Sequence, residues 1–332
     1  MATIYDVARR ADVSPATVSR VVNGRANVDA GLAERVRRAM RDLDYRPNAV
    51  ARNLRRSRTS FWAVIISDID NPFFTTMFRG VEDVAQPAGF SVLLCNTDNL
   101  PDREEQYVNG TMSEQIAGAI ISPTPSSPHV RRLMDAGVPV VVIDRQLPET
   151  PVDTVLVDNE HGAALATNHL IKSGYERIGC ITGEVDVFTA QRRLAGYRQA
   201  LTAAGRPYDQ RLVRYADSLQ EGGYRAMTSM LTEDPRPDAV FVANNLMTVG
   251  AVSSAFDHGL DLPSEFGIVG FDDMPWSKLM RPALTTVAQP SYDVGRAAAE
   301  LLKLRMADPN RPPTTETLHT ELRIRRSSIR QP

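Results

Sequence analysis

Two groups of residues in this 332-residue chain carry chemistry beyond core packing. One is scattered from residue 71 onward: Asn71, Phe73 and Phe74, then Asp144 and Arg145, Phe188, Thr189 and Arg193, Asn244, Asp272 and Gln289. Aromatic faces stack on the C–H faces of sugar rings. Asp, Arg, Asn and Gln supply the donors and acceptors that hydroxyls need. The other group lies before residue 59 and is basic. Thirteen arginines there face six acids, a net charge of +7, which leaves −9 on the rest of a chain whose total is −2. A basic head on an acidic body is the electrostatic footprint of a nucleic-acid binder. No nucleophile–base–acid set, glycine-rich phosphate loop or metal-ligand spacing of the five histidines is evident, so neither enzyme chemistry, a cofactor nor a metal is expected.

The elements that position the basic group are three short helices. Thr3-Ile4-Tyr5-Asp6 has the form of a capping box, followed by Val7, Ala8 and Ala11 on one helical face. Asp12-Val13 makes a turn, Ser14 caps a second helix and Pro15 suits its first position. Val18, Val21 and Val22 form that helix's buried stripe, and Gly24 ends it. Asp29 caps a third helix with Leu32, Val36, Met40 and Leu43 inward. Such a helix-turn-helix lays its second helix in the DNA major groove. Arg20 is the expected base contact, bidentate to guanine, and Pro15 and Ala16 offer apolar contacts. Thr17, Ser19 and Asn23 are expected on phosphates, and Thr3, Tyr5 and Ser14 complete the expected DNA-contacting set of this domain. Farther on, Asn48 caps a short helix and Ala51 is small enough for a second helix to approach. Leu54 stands exposed among Arg52, Arg55 and Arg56, which suits a wedge in a minor-groove base step.

From Phe61 the pattern changes to short apolar strands alternating with helical stretches. FWAVIIS, FSVLLCNT, GAIISP and VPVVVID form one set, and RIGCITG, LVRYAD, AVFVAN and FGIVGFD a second. This predicts two parallel α/β halves. Ligands of such sheets sit beyond the carboxyl ends of strands, which is where the scattered polar residues fall. Phe73 and Phe74 also read as helix packing, and Asp144-Arg145 as a surface ion pair. Cys95 and Cys180 lie in strand-like runs and are expected as buried, reduced thiols. No apolar run approaches the ~20 residues of a membrane span. The N-terminus lacks a signal core, so a cytoplasmic location is expected.

VSPATVSRVVNG and YRPNAVARNL resemble the head piece and hinge of the lactose/galactose repressor family of bacterial regulators, and the resemblance runs the whole length. It implies a helix-turn-helix domain over 1–46, a hinge helix over 47–58 and a two-lobed, periplasmic-binding-protein-like sensor. The first lobe is expected over 59–160 and 290–320, the second over 161–289 and 321–332. The resemblance further implies a homodimer on a pseudopalindromic operator kinked at its centre by Leu54. Most dimer contacts then fall in the first lobe. The scattered polar set is similar to the pocket of ribose-type repressors. Two departures stand out: Ser218 replaces an aromatic wall and Asn245 replaces an aspartate. The expected function is a repressor released from DNA by a pentose or similar monosaccharide. A purine or nucleoside corepressor system is the alternative, and a sugar-processing enzyme with an added head a more distant one.

Overall fold

The computed structural model describes residues 2–22, 28–45, 59–125 and 127–330. It divides into two compact units, Met1–Thr59 and Ser60–Pro332. Asn23, Gly24 and the whole expected hinge, with Asn48, Ala51, Leu54 and Arg55, lie outside the described residues.

In the first unit, helices α1 (Ile4–Ala11), α2 (Pro15–Val22) and α3 (Ala30–Asp42) enclose a core of Val7, Ala8, Ala11, Val18, Val36 and Ala39. The capping box forms as the spacing predicts: the Asp6 N–H donates to Thr3 Oγ1 and the Thr3 N–H to Asp6 Oδ2. Asp12 turns the chain in the left-handed region, with φ of 50°. Asp29 accepts from the N–H groups of Gly31 and Leu32 at the start of α3. The inward face of α3 is rotated from the one expected. Ala33, Val36 and Ala39 are buried, with Met40 and Leu43 packed beside them, while Leu32 is only half-buried and outside that cluster. The small alanines allow the helices to approach closely, which the larger leucine would prevent.

The second unit contains two six-stranded sheets. The first uses β1 (Phe61–Ile66), β2 (Ser91–Asn96), β3 (Gly118–Ile121), β4 (Val140–Ile143) and β5 (Asp153–Val157). The second uses β6 (Ile178–Thr182), β7 (Val213–Tyr215), β8 (Ala239–Val242), β9 (Gly267–Phe271) and β10 (Thr285–Ala288). Each is completed from the C-terminal segment. β11 (Thr315–Leu318) pairs parallel with β5, and β12 (Glu321–Arg323) antiparallel with β10. The C-terminal segment therefore contributes two strands to two different sheets, parting between residues 318 and 321. Asp158 marks the break, accepting from the Thr320 N–H and bonding His319.

Helices cover the sheets, and those that matter for the site are α4 (Pro72–Ala85), α5 (Pro101–Ser113), α6 (His129–Asp135), α7 (Asn159–Lys172), α8 (Phe188–Ala203), α9 (Gln220–Leu231), α10 (Asn245–Asp257) and α11 (Ser291–Ala307). α4 and α11 cross so closely that a methyl group on Gly80 would meet the Tyr292 carbonyl, and one on Gly295 the Met77 carbonyl. The inner strands β1, β3, β4, β8 and β9 are apolar along their whole length, as befits strands covered on both faces, while β5 and β10 open on buried polar residues. Cys180 on β6 is buried accordingly, and burial pushes its thiol far up. Cys95 departs from expectation. It sits on β2, an edge of the first sheet, and is only half-buried. Among the described residues no helix is long and apolar enough to cross a membrane.

Two aspartates tie the returning chain down. Asp153, with its side chain fully buried, accepts from Arg305 Nε and Arg311 Nη1 at 2.9 Å each. Asp273 accepts from Thr286 Oγ1, Arg323 Nη1 and Arg325 Nη1, each at 2.6 Å. Burial alone would raise the Asp273 carboxyl; Arg325, Thr286 and Arg323 more than offset it and hold it at about 2. A depressed folded-state value means that the stabilisation is present above the unfolded value near 4 and is lost as pH falls through about 2. Discounted for the half-exposed Arg323, it amounts to about 1–2 kcal/mol at pH 7. Asp273→Asn is expected to lose this at neutral pH and to show a correspondingly shallower loss between roughly pH 4 and pH 2. Urea unfolding at three pH values checks it.

Candidate functional site

On α2, Ala16 and Arg20 are exposed, while Pro15, Thr17 and Ser19 are half-buried. Ser14 Oγ accepts from the Thr17 N–H at 3.1 Å and lies 2.9 Å from Thr17 Oγ1, fixing both hydroxyls at the helix start. Tyr5 is 66% exposed on α1. The arginines of this unit are not equivalent. Arg9, Arg10, Arg35, Arg37 and Arg41 each pair with an acid. Arg20 and Arg38 make no ion pair among the described residues. A guanidinium unneutralised on an exposed helix face is free to reach a base edge or a phosphate.

In the second unit a cavity of about 570 Å³ is lined from both sheets. It lies within the size range of small-molecule sites. Asn71, Phe73, Phe74, Asp144, Arg145, Thr189, Arg193, Ser218, Asn244, Asp272 and Gln289 all line it. Phe188 does not: it is the first residue of α8, and its neighbours Val187 and Thr189 face the cavity instead.

The cavity's inner end is a charge-balanced network. Arg145 Nη1 donates to Asn99 Oδ1 at 2.7 Å and to the Pro123 carbonyl at 2.8 Å, and Asp144 Oδ2 lies 3.7 Å from Nε. Both side chains are about nine-tenths buried, so the pair is no surface ion pair. Arg193 Nε donates to Asn159 Oδ1 at 2.7 Å and Nη1 to the Ala243 carbonyl at 2.6 Å, with its guanidinium 3.9 Å from the centre of the Phe271 ring. Burial pushes both guanidinium groups below their usual value, and the facing charges of Asp144 and Asp272 counter it. Burial raises the Asp272 carboxyl, against Arg193 and Gln289, whose Nε2 donates to Asp272 Oδ1. Arg145 Nε and Gln289 Oε1 are buried with no hydrogen-bond partner, one a donor and the other an acceptor. A hydroxyl can serve either role.

Five lining residues hold a left-handed backbone without being glycine: Asp98 (φ 49°), Asn99 (φ 58°), Asp144 (φ 66°), Ser218 (φ 64°) and Asp272 (φ 73°). All follow the carboxyl ends of strands: Asp98 and Asn99 follow β2, and the other three β4, β7 and β9 respectively. Such conformations cost about 1–3 kcal/mol each and gather where ligands are held. Asn245 does not line the cavity. Its Nδ2 donates to Asn71 Oδ1 at 2.8 Å, joining the start of α10 on the second-sheet side to the start of α4 on the first. Phe73 and Phe74 meet edge to face at 5.0 Å and belong to the first half's core as well as to the cavity wall.

The lining also includes Asp70, which opens the strand-end run that continues into Asn71, and Asp68, Asp98, Asn99, Leu100, Glu184, Asp217 and Leu219, which the sequence did not single out. They lie in the loops after β1, β2, β6 and β7. The strand-end rule applies to these loops too, but NTDNL and ADSLQ carry no aromatic or arginine to draw the eye.

Against known proteins, the family model described as "Periplasmic binding proteins and sugar binding domain of LacI family" matches residues 60–327. The one described as "Bacterial regulatory proteins, lacI family" matches residues 3–48. Catabolite control protein A of Priestia megaterium is 38% identical over 90% of this chain and 91% of its own length. The structure titled "transcriptional regulator CelR-cellobiose complex" is 33% identical over 98% of this chain and all of that one, with a TM-score of 0.77. A lac repressor dimer solved with operator and the anti-inducer ONPF is 27% identical over 99% of both chains, with a TM-score of 0.87.

Proposed function

The chain belongs to the lacI family of bacterial regulatory proteins and carries that family's sugar-binding domain, and from this premise we propose that it is a homodimeric transcriptional repressor released from its operator by a saccharide bound in the cavity. The observation that carries the reading is the cavity's inner network. Asp144 with Arg145 and Asp272 with Arg193 balance in charge, and an unpartnered buried donor and acceptor remain to meet hydroxyls. The solved neighbours support it, one as a cellobiose complex and one as a dimer on operator.

The proposed division follows the resemblance: a DNA-reading domain over 1–46, a hinge over 47–58 and two sensor lobes, 59–160 with 290–320 and 161–289 with 321–332. Ser14, Pro15, Ala16, Thr17, Ser19, Arg20 and Asn23, with Thr3 and Tyr5, contact the operator. Asn48, Ala51, Leu54 and Arg55 form the hinge, in which Leu54 from each subunit wedges the central base step. A two-fold operator calls for a dimer, and the first lobe, from Phe61 through α4, contributes to its interface. The protein works in the cytoplasm. The effector is a monosaccharide or a similar small sugar that prefers one arrangement of the lobes, and it acts through the free-energy difference between the two arrangements.

The experiment is a footprint on the DNA upstream of the chain's own gene, with the intact protein and with Arg20→Ala. Two protected half-sites related by a dyad are expected. Arg20→Ala is expected to weaken binding by about 1–3 kcal/mol and to relax preference at one base pair per half-site. Uniform weakening across sequences would make Arg20 a phosphate contact, and protection without dyad symmetry would contradict the dimeric reading.

A further inference from the structure

The cavity's rim is charged differently from its inner end. Of the exposed or half-exposed acids that line it, Asp98 is paired with Arg103 and Asp217 with Arg225. Asp68, Asp70 and Glu184 have no cationic partner among the described residues. Burial first, and then the neighbouring charges of Asp70 and Asp98, raise the Asp68 carboxyl from its ordinary value, against the backbone N–H groups of Asp70 and Asn71, which lower it. The rim thus presents negative charge from both halves of the sensor, with no free cation among the described rim residues to receive an anion.

The backbone donors that bind anions in α/β proteins are also in use. A phosphate is held by free N–H groups at a helix start. At α4, Pro72 has no N–H and the Phe73 N–H donates to Asn71 Oδ1 at 3.0 Å. At α10, Asn245 Oδ1 takes the Leu246 N–H at 2.6 Å and Asn244 Oδ1 the Met247 N–H at 2.7 Å. α5, α8 and α9, whose preceding residues Leu100, Val187 and Leu219 line the cavity, begin without a side-chain cap, but carboxylates stand beside each: Asp98 and Asp102, Glu184 and Asp186, Asp217 and Glu221. The helix starts at the cavity are therefore either occupied by the chain's own asparagine or flanked by carboxylates.

Resting on the reading of the cavity as the effector site, we propose that the effector is an uncharged saccharide and that phosphorylated forms of the same sugar are rejected. The inner network recognises hydroxyls, while the rim acids and the occupied helix starts exclude phosphate and carboxylate groups. The regulator accordingly senses a sugar before it is phosphorylated.

The test is calorimetric titration of the full-length protein with matched pairs: ribose and ribose 5-phosphate, glucose and glucose 6-phosphate, cellobiose and its 6-phosphate, inosine and inosine monophosphate. Wherever a neutral member binds, its phosphorylated partner is expected to bind at least tenfold more weakly. The gap is expected to narrow at 0.5 M salt, where screening is short-ranged. It is also expected to narrow severalfold in Asp68→Asn/Asp70→Asn/Glu184→Gln. Equal or tighter binding of a phosphorylated member overturns the proposal, as does a gap unchanged in the neutralised variant. If only the inosine pair binds, the sugar reading falls while the gap within that pair still decides on charge exclusion.

Discussion

Asp272→Ala is expected to silence the effector response and leave operator binding intact. Asp272 is 4% exposed, lines the cavity and receives the Gln289 side-chain N–H. Its left-handed backbone follows β9 directly and sets the carboxylate at the strand's end. A carboxylate–hydroxyl bond in such a site contributes about 1.5–3 kcal/mol, so its loss weakens the saccharide by roughly ten- to a hundredfold. The fold is expected to survive. Removing this carboxylate relieves its own burial cost, and Arg193, though it loses one facing charge, keeps that of Asp144 and its hydrogen bonds to Asn159 and the Ala243 carbonyl, so a smaller loss of stability is expected than for removal of Arg193. The DNA-reading helices form a separate compact unit and are not touched. Calorimetry with the saccharide and fluorescence anisotropy with operator separate the two effects. A variant that still responds to the saccharide would place the effector elsewhere.

Arg193→Met is expected to be the most destabilising change in the site. Arg193 is 6% exposed and donates to Asn159 at the start of α7 and to the end of β8. It also stacks on Phe271 and faces the charge of Asp272. Its removal strands a buried carboxylate, which costs about 3–5 kcal/mol and lowers the melting temperature by roughly 10 °C. The double variant Arg193→Met/Asp272→Asn is expected to recover much of this, because the stranded charge is then gone. Thermal melts of the two single variants and the double check it. Simple additivity of the single effects would mean that Arg193 acts through packing alone and that the inner network is not charge-coupled.

The parts legible in the sequence were those governed by local pattern. Apolar runs such as VVVI and AVFV read as covered parallel strands because nothing polar interrupts them. The caps Thr3, Ser14 and Asp29 were legible because a side chain three residues away completes them or the helix starts beside them. β5 was not. It opens on Asp153, whose burial rests on Arg305 and Arg311 about 150 residues later. Asp272 and Asp273 are adjacent in sequence, yet one faces the cavity and the other clamps the C-terminal strand. The turn that separates them is set by a backbone angle that sequence spacing does not encode. The same holds for Phe188 against Thr189, and for Asn245, whose partner Asn71 comes from the other half of the sensor. The rim acids followed from the strand-end rule but became meaningful only when their missing counter-charges could be seen.

The central claim is that cavity and operator are thermodynamically linked, and a closed cycle tests it most directly. Operator affinity is measured by anisotropy with and without a saturating neutral saccharide. Saccharide affinity is measured by calorimetry with and without operator. The account predicts that each ligand weakens the other by the same factor, in the range of about 5–150-fold set by a coupling of 1–3 kcal/mol. Saccharide binding that leaves operator affinity unchanged, or tightens it, would contradict it.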